Sequence, residues 1–225
     1  MNLRLLALSA LILAACAPQA TKAVSDSSAQ TEQTPPAVGS YVLYLQAKQD
    51  AKTDDAVQYL SAALKEDPDN KMLQTEMFSL LAIEGRLDEA YPYAKKELKK
   101  DPSSLLAALT VIAYNAEKGD YAAALKQIKA YPDKADNAFL FPLLELWLQA
   151  GAGNRKKAEQ ALEKINRSGT EALYMFHSAL LYDMWGDTDK AREGYESLLK
   201  EPGGLSLRAA QAYGNFLLRH GSGRE

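Results

Sequence analysis

The sequence predicts an all-α fold built from repeated helix pairs, and three observations carry that reading. Alanines recur at Ala56, Ala90, Ala124, Ala158 and Ala191, separated by 34, 34, 34 and 33 residues. Each follows a short turn of charged and small residues and opens an amphipathic run. The first two runs stop at Asp67-Pro68 and Asp101-Pro102, where proline removes the donor that a continuing helix needs. A period of this length marks a supersecondary unit that cannot bury its apolar face alone and must stack on its neighbours. With 47% hydrophobic and 24% charged residues the chain can fill such a core, which excludes disorder throughout.

The units read DAKTDDAVQYLSAALKEDPDN from Asp50, EGRLDEAYPYAKKELKKDP from Glu84, KGDYAAALKQI from Lys118, GNRKKAEQALEKI from Gly153 and WGDTDKAREGYESLLK from Trp185. This pattern resembles the tetratricopeptide repeat (TPR), a 34-residue helix–turn–helix. In that family a Gly closes helix A, a buried Ala opens helix B, a large residue follows four later, and Asp-Pro ends the unit. The first repeat carries Ala56, Leu60, Ala63, Leu64 and Asp67-Pro68, with Ala51 in place of the Gly. The second carries Gly85, Ala90, Leu98 and Asp101-Pro102, and the fifth Gly186, Ala191, Tyr195 and Leu199. Gly85, Gly119 and Gly186 suit the left-handed residue that ends a helix. The resemblance implies a right-handed α-solenoid of about five units over residues 40–221. The repeats fall near 40–70, 71–104, 105–135, 136–169 and 170–203, with a C-terminal helix over 206–219.

Two units depart from the pattern. Pro132 cuts helix B of the third repeat short. In the fourth, Ala150-Gly151-Ala152-Gly153 reads as a longer loop, which moves helix A two residues earlier and gives it Leu140, Leu143, Leu144 and Trp147 as a packing face. Ser206 to Arg219 is a helix A without its helix B. It serves either as a cap or as the start of a shortened repeat.

The first forty residues are of another kind. Arg4 precedes an unbroken apolar and small run from Leu5 to Ala15, shorter than the roughly 20 residues of a bilayer-spanning helix. It fits a secretory signal over residues 1–15. The run ends Leu13-Ala14-Ala15-Cys16, with the chain's single cysteine, and resembles the lipobox of bacterial lipoproteins. That resemblance implies cleavage before Cys16, lipidation of its thiol, and acylation of the new N-terminus. Ala17 after the cysteine implies the outer membrane, with the array facing the periplasm. Residues 16–39, rich in Ala, Ser, Thr, Gln and Pro, read as the lipidated cysteine and a disordered tether.

Little in the chain suggests catalysis. His177 and His220 lie in different units and lack metal-ligand spacing, so we expect no metal, no cofactor and no enzymatic activity. His177 is expected to be packed or half-exposed. The formal net charge of −3 argues against wholesale binding to nucleic acid or anionic lipid. Lys95-Lys96 and Lys99-Lys100 read as a solvated face with acids close by. In the resembled family helix A lines a concave groove for partner proteins. Carried over, its contact positions are Tyr41, Leu45 and Lys48; Thr75 and Ser79; Leu109 and Ala113; Phe141 and Glu145 in the shifted register; and Phe176, Leu180 and Asp183. The expected function is an anchored scaffold or adaptor for envelope proteins, or a structural subunit of an envelope export, secretion or pilus assembly.

Overall fold

The computed structural model describes residues 37–132, 139–165, 169–201 and 206–221. Eleven helices occupy them, with no strand among the described residues. Five A/B pairs follow one another: α1 (Ala37–Gln49) with α2 (Thr53–Glu66), α3 (Lys71–Ile83) with α4 (Leu87–Lys100), and α5 (Leu105–Glu117) with α6 (Tyr121–Ala130). Then come α7 (Leu140–Gly151) with α8 (Arg155–Glu163), and α9 (Glu171–Met184) with α10 (Thr188–Lys200). The last helix, α11 (Leu207–Arg219), packs on α9. The A helices α3, α5, α7 and α9 also pack against the B helix before them, so the pairs stack into a helical solenoid.

The alanine register sets the seam of each pair. Ala56, Ala90, Ala124, Ala158 and Ala191 are all 0% exposed, and each is the fourth residue of its B helix. At that point a methyl is the largest group that lets the two backbones approach. Four residues later, on the same face, Leu60, Ala94, Ile128, Leu162 and Tyr195 are buried as well. On the A side Tyr44, Phe78, Ile112 and Leu146 are the matching buried chains, each seven residues before its turn residue.

One joint connects A to B throughout. The N–H of Lys52, Arg86, Asp120, Asn154 and Asp187 donates to the carbonyl of Ala47, Leu81, Asn115, Gln149 and Tyr182 respectively, at 2.8–3.0 Å. The residue just before each donor is left-handed: Gly85, Gly119, Gly153 and Gly186 have φ between 70° and 76°, and Ala51 has φ 55°. This is the Schellman closure, which satisfies the last carbonyls of helix A. The donor is at once the N-cap of helix B, so the two helices share it and no loop intervenes. Ala51 is the single non-glycine described in that conformation, and its Cβ makes the position strained.

Two expectations are corrected. The fourth unit has no longer loop and no register shift: α7 runs to Gly151, Ala152 is its C-cap, and Gly153 is the turn residue as in the other units. Gly151 is helical, and a Cβ there would lie 2.7 Å from the Tyr121 ring, which would have to shift to admit it. The buried face of α7 is accordingly Phe141, Leu146, Leu148, Gln149 and Ala150, while Leu140, Leu143, Leu144 and Trp147 are half-buried. Helix α1 begins at Ala37, three residues inside the segment assigned to the tether. Cys16, the signal and the rest of the tether lie outside the described residues.

The B-to-A connections are less uniform. Asp67-Pro68-Asp69-Asn70 leads into α3, where the Asn70 side chain accepts from the N–H of Met72 and Leu73 at 3.1 and 3.2 Å. Before α5, Asp101 instead accepts from the backbone and hydroxyl of Ser103 at 2.9 and 2.6 Å. Helix α6 is short, as Pro132 predicts, and α8 is shorter still.

Candidate functional site

The A helices carry the residues expected to meet a partner, and the structure treats them unequally. Leu45, Lys48, Thr75 and Ala113 are exposed, while Tyr41, Ser79, Leu109, Phe176, Leu180, Glu145 and Asp183 are half-buried. Phe141 is 3% exposed, with its ring centroid 4.8 Å from that of Tyr131. It stands twelve residues before Gly153, as the buried Leu73 and Ala107 stand before Gly85 and Gly119. Phe141 is therefore core rather than groove. The positions of α7 that match Leu109 and Ala113 are Leu143 and Trp147.

Several of the others are already engaged. Asp183 accepts from Arg219 at 2.5 Å and from the Tyr195 hydroxyl at 3.4 Å, which ties α11 to α9 and α10. Glu145 accepts from Lys164 at 2.7 Å. The Thr75 hydroxyl donates to the Lys71 carbonyl of its own helix at 2.9 Å. Leu180 packs with Tyr213 and Leu217 around the Tyr195–Phe216 core.

Lys48 and Ser79 are brought together. They line a cleft of about 260 Å³ between the first two repeats, walled by Ala47, Ala51, Ala56, Leu80 and Ile83. On one wall Glu76 accepts from Lys48 Nζ at 2.9 Å and from the hydroxyl of the buried Tyr44. The Tyr44 hydrogen bond, then that from Lys48, holds the Glu76 carboxyl below its usual range. Burial, then the bond to Glu76, raises the Tyr44 phenol, and Glu76 raises the Lys48 ammonium. A carboxylate held down this way is a poor proton acceptor. The cleft therefore offers apolar walls and a fixed charge pair, which suits binding.

Further along, Trp147 Nε1 donates to His177 Nδ1 at 3.1 Å, joining the A helices of repeats four and five. The imidazole is half-buried as expected, and burial, then the positive charge of Arg208, lowers its pKa to about 4. It is neutral at pH 7, with its proton on Nε2. Reading the sequence missed Tyr44, Glu76 and the bond between Trp147, placed there only in a packing face, and His177. The signal was available only by pairing one A helix with the next, since Lys48 and Glu76 are 28 apart and Trp147 and His177 are 30 apart. Among the described residues no three His, Cys, Asp or Glu side chains form a metal-ligand set, and no helix is long and apolar enough to cross a membrane.

No family model matches the chain, and no curated protein matches it significantly. Solved structures do. A thermophilic TPR protein of Thermus thermophilus is 20% identical with a TM-score of 0.54, over 81% of this chain and 99% of that one. A tetratricopeptide repeat protein from Parabacteroides merdae is 18% identical with a TM-score of 0.61, over 82% of this chain and 73% of that one. At these identities the likeness is one of fold, and the fold is a helical solenoid of tetratricopeptide type.

Proposed function

We propose that this chain is a protein-binding scaffold of the bacterial envelope, held to the outer membrane by acylation of Cys16. The observation that carries the binding role is the cleft between repeats one and two. It has apolar walls and the ion pair Lys48–Glu76 at 2.9 Å. Such a surface suits an extended segment or helix of a partner that buries an apolar side chain and meets the charge pair at its rim. The anchor rests on Leu13-Ala14-Ala15-Cys16 after an apolar run.

Capture from detergent-solubilised envelope tests the binding role. One protein should be recovered by the native chain and lost with Ser79→Trp, which fills the cleft; equal recovery by both would remove the cleft from the reading. Labelling with a fatty-acid analogue tests the anchor separately. Label should appear on the native chain and vanish with Cys16→Ser, and an unlabelled native chain would refute acylation.

A second reading, a structural subunit that associates with itself, is favoured by one observation. Val38, Val42 and Leu45 form a stripe on α1 and are 77%, 57% and 44% exposed. Sedimentation over a hundredfold range of concentration distinguishes the two, because a monomer throughout would leave only the scaffold.

A further inference from the structure

The borders between repeats are not packed alike. On each A helix the positions twelve, eight and five residues before the turn residue face the preceding repeat. Two of these three are buried apolar residues in α3 (Leu73, Met77), α5 (Ala107, Val111) and α7 (Phe141, Leu148). The same holds for Ala209 and Phe216 of α11, counted from Gly221. In α9 the three are Tyr174, Ser178 and Leu181, and only Leu181 is buried. It is the one buried residue that α9 lends to the core of the fourth repeat.

Polar bonds hold this border where apolar packing is thin. Tyr174 donates to Glu163 at 3.0 Å, Trp147 Nε1 to His177 Nδ1 at 3.1 Å, and Arg155 to Asp187 at 3.4 Å. The bond from Trp147 needs the lone pair of a neutral imidazole, and an imidazolium has none to offer. On its other side α9 is firmly tied. Asp183 holds Arg219, and Tyr195 packs on Phe216, so α9, α10 and α11 form one block. We propose that the border between repeats four and five is a hinge, and that proton uptake by His177 opens it.

Protonation strikes the border twice: Trp147 loses its acceptor, and a charge appears on a half-buried ring. In the closed border burial holds the imidazole at about 4, and water restored on opening moves it towards the ordinary 6.5. The open form therefore takes up the proton at a higher pH than the closed form, and opening gains as pH falls from 6.5 to 4. Arg208 of α11, whose charge also lowers the imidazole, belongs to the same block, so opening relieves the burial and not that repulsion. Carboxylates around the border are already engaged: Glu145 by Lys164, Glu163 by Tyr174 and Asp183 by Arg219. On α10, Lys190 and Arg192 lie over the Tyr182 and Phe216 rings. The groove residues Phe176 and Leu180 ride on the block, so opening draws them away from Trp147.

Single-molecule energy transfer on the full chain tests the hinge. With Cys16→Ser in place, dyes are attached through Lys157→Cys on α8 and Glu196→Cys on α10, both exposed positions. Between pH 7 and pH 4.5 the ratio of low-transfer to high-transfer molecules should rise roughly tenfold or more, with helical content unchanged. A second pair, Lys96→Cys and Lys126→Cys, spans the border of repeats two and three and should not respond. His177→Gln, whose side chain takes no proton in this range, should abolish the rise at the first pair. A ratio that stays constant in the native sequence would overturn the proposal. So would an equal rise at the second pair, which would mean general loosening, or a rise that survives His177→Gln.

Discussion

The joints inside a repeat and the joints between repeats are built by different rules. Inside, helix A passes to helix B through one backbone device used five times, with 6→1 bonds of 2.8–3.0 Å and a left-handed residue at 51, 85, 119, 153 and 186. Between, each connection finds its own solution: Asn70 caps α3, Asp101 holds Ser103, and Trp147 bonds His177 across repeats four and five. Backbone stereochemistry leaves little choice of residue, whereas side-chain caps and ring contacts leave many. The repeat is thus nearly invariant within and variable at its borders.

Five substitutions put that contrast to the test. The largest effect is expected from Ala90→Glu, which forces a carboxylate into a seam that is 0% exposed. Overpacking and desolvation together should cost more than about 3 kcal/mol, read as a lowered denaturant midpoint. An unchanged midpoint would mean the seam is not where the register puts it.

At the border of repeats four and five, His177 makes stability depend on pH. Its folded pKa, about 4, lies below the ordinary value of 6.5, so between those values the unfolded chain binds the extra proton. Stability is then full above pH 6.5, declines as pH falls, and levels off below 4, by up to about 3 kcal/mol. His177→Phe should remove that slope from urea titrations at pH 7 and 4.5, and a slope that persists would assign it elsewhere.

Gly119→Ala places a Cβ on a residue at φ 76° and should destabilise by about 1 kcal/mol, seen as a lower urea midpoint. Asn70→Ala strips the two N–H acceptors at the start of α3 and should cost about 1 kcal/mol. Loss of protection at Met72 and Leu73 in hydrogen exchange would localise it. The smallest effect has the opposite sign. Ala51→Gly relieves strain but loosens the unfolded chain, for a net gain of about 0.5 kcal/mol. A loss instead would show that Ala51 sits comfortably where the other four joints use glycine.

The invariant joints were legible in the sequence because they rest on residue type. The five seam alanines, the turn glycines 85, 119 and 186, and the substitution at Ala51 all follow from backbone stereochemistry and a fixed period. The α7 error arose where two glycines two residues apart could each end the helix. Only Gly153 is followed by a residue whose N–H reaches back to Gln149, and Gly151 answers to Tyr121, 30 residues earlier. Misplacing that turn carried Phe141 into the groove. The border contacts were illegible for a related reason: Glu76 with Lys48 or Arg219 with Asp183 are matches between distant side chains that no local rule ties together.

The shared N-cap residues also bear on how fast the molecule assembles. Because the same residue ends one helix and starts the next, each A/B hairpin can close with bonds that span six residues. Chains whose contacts lie close in sequence fold in microseconds to milliseconds, while those that must first close long loops are far slower. An array of such hairpins can begin folding on its first complete pair, without waiting for its last.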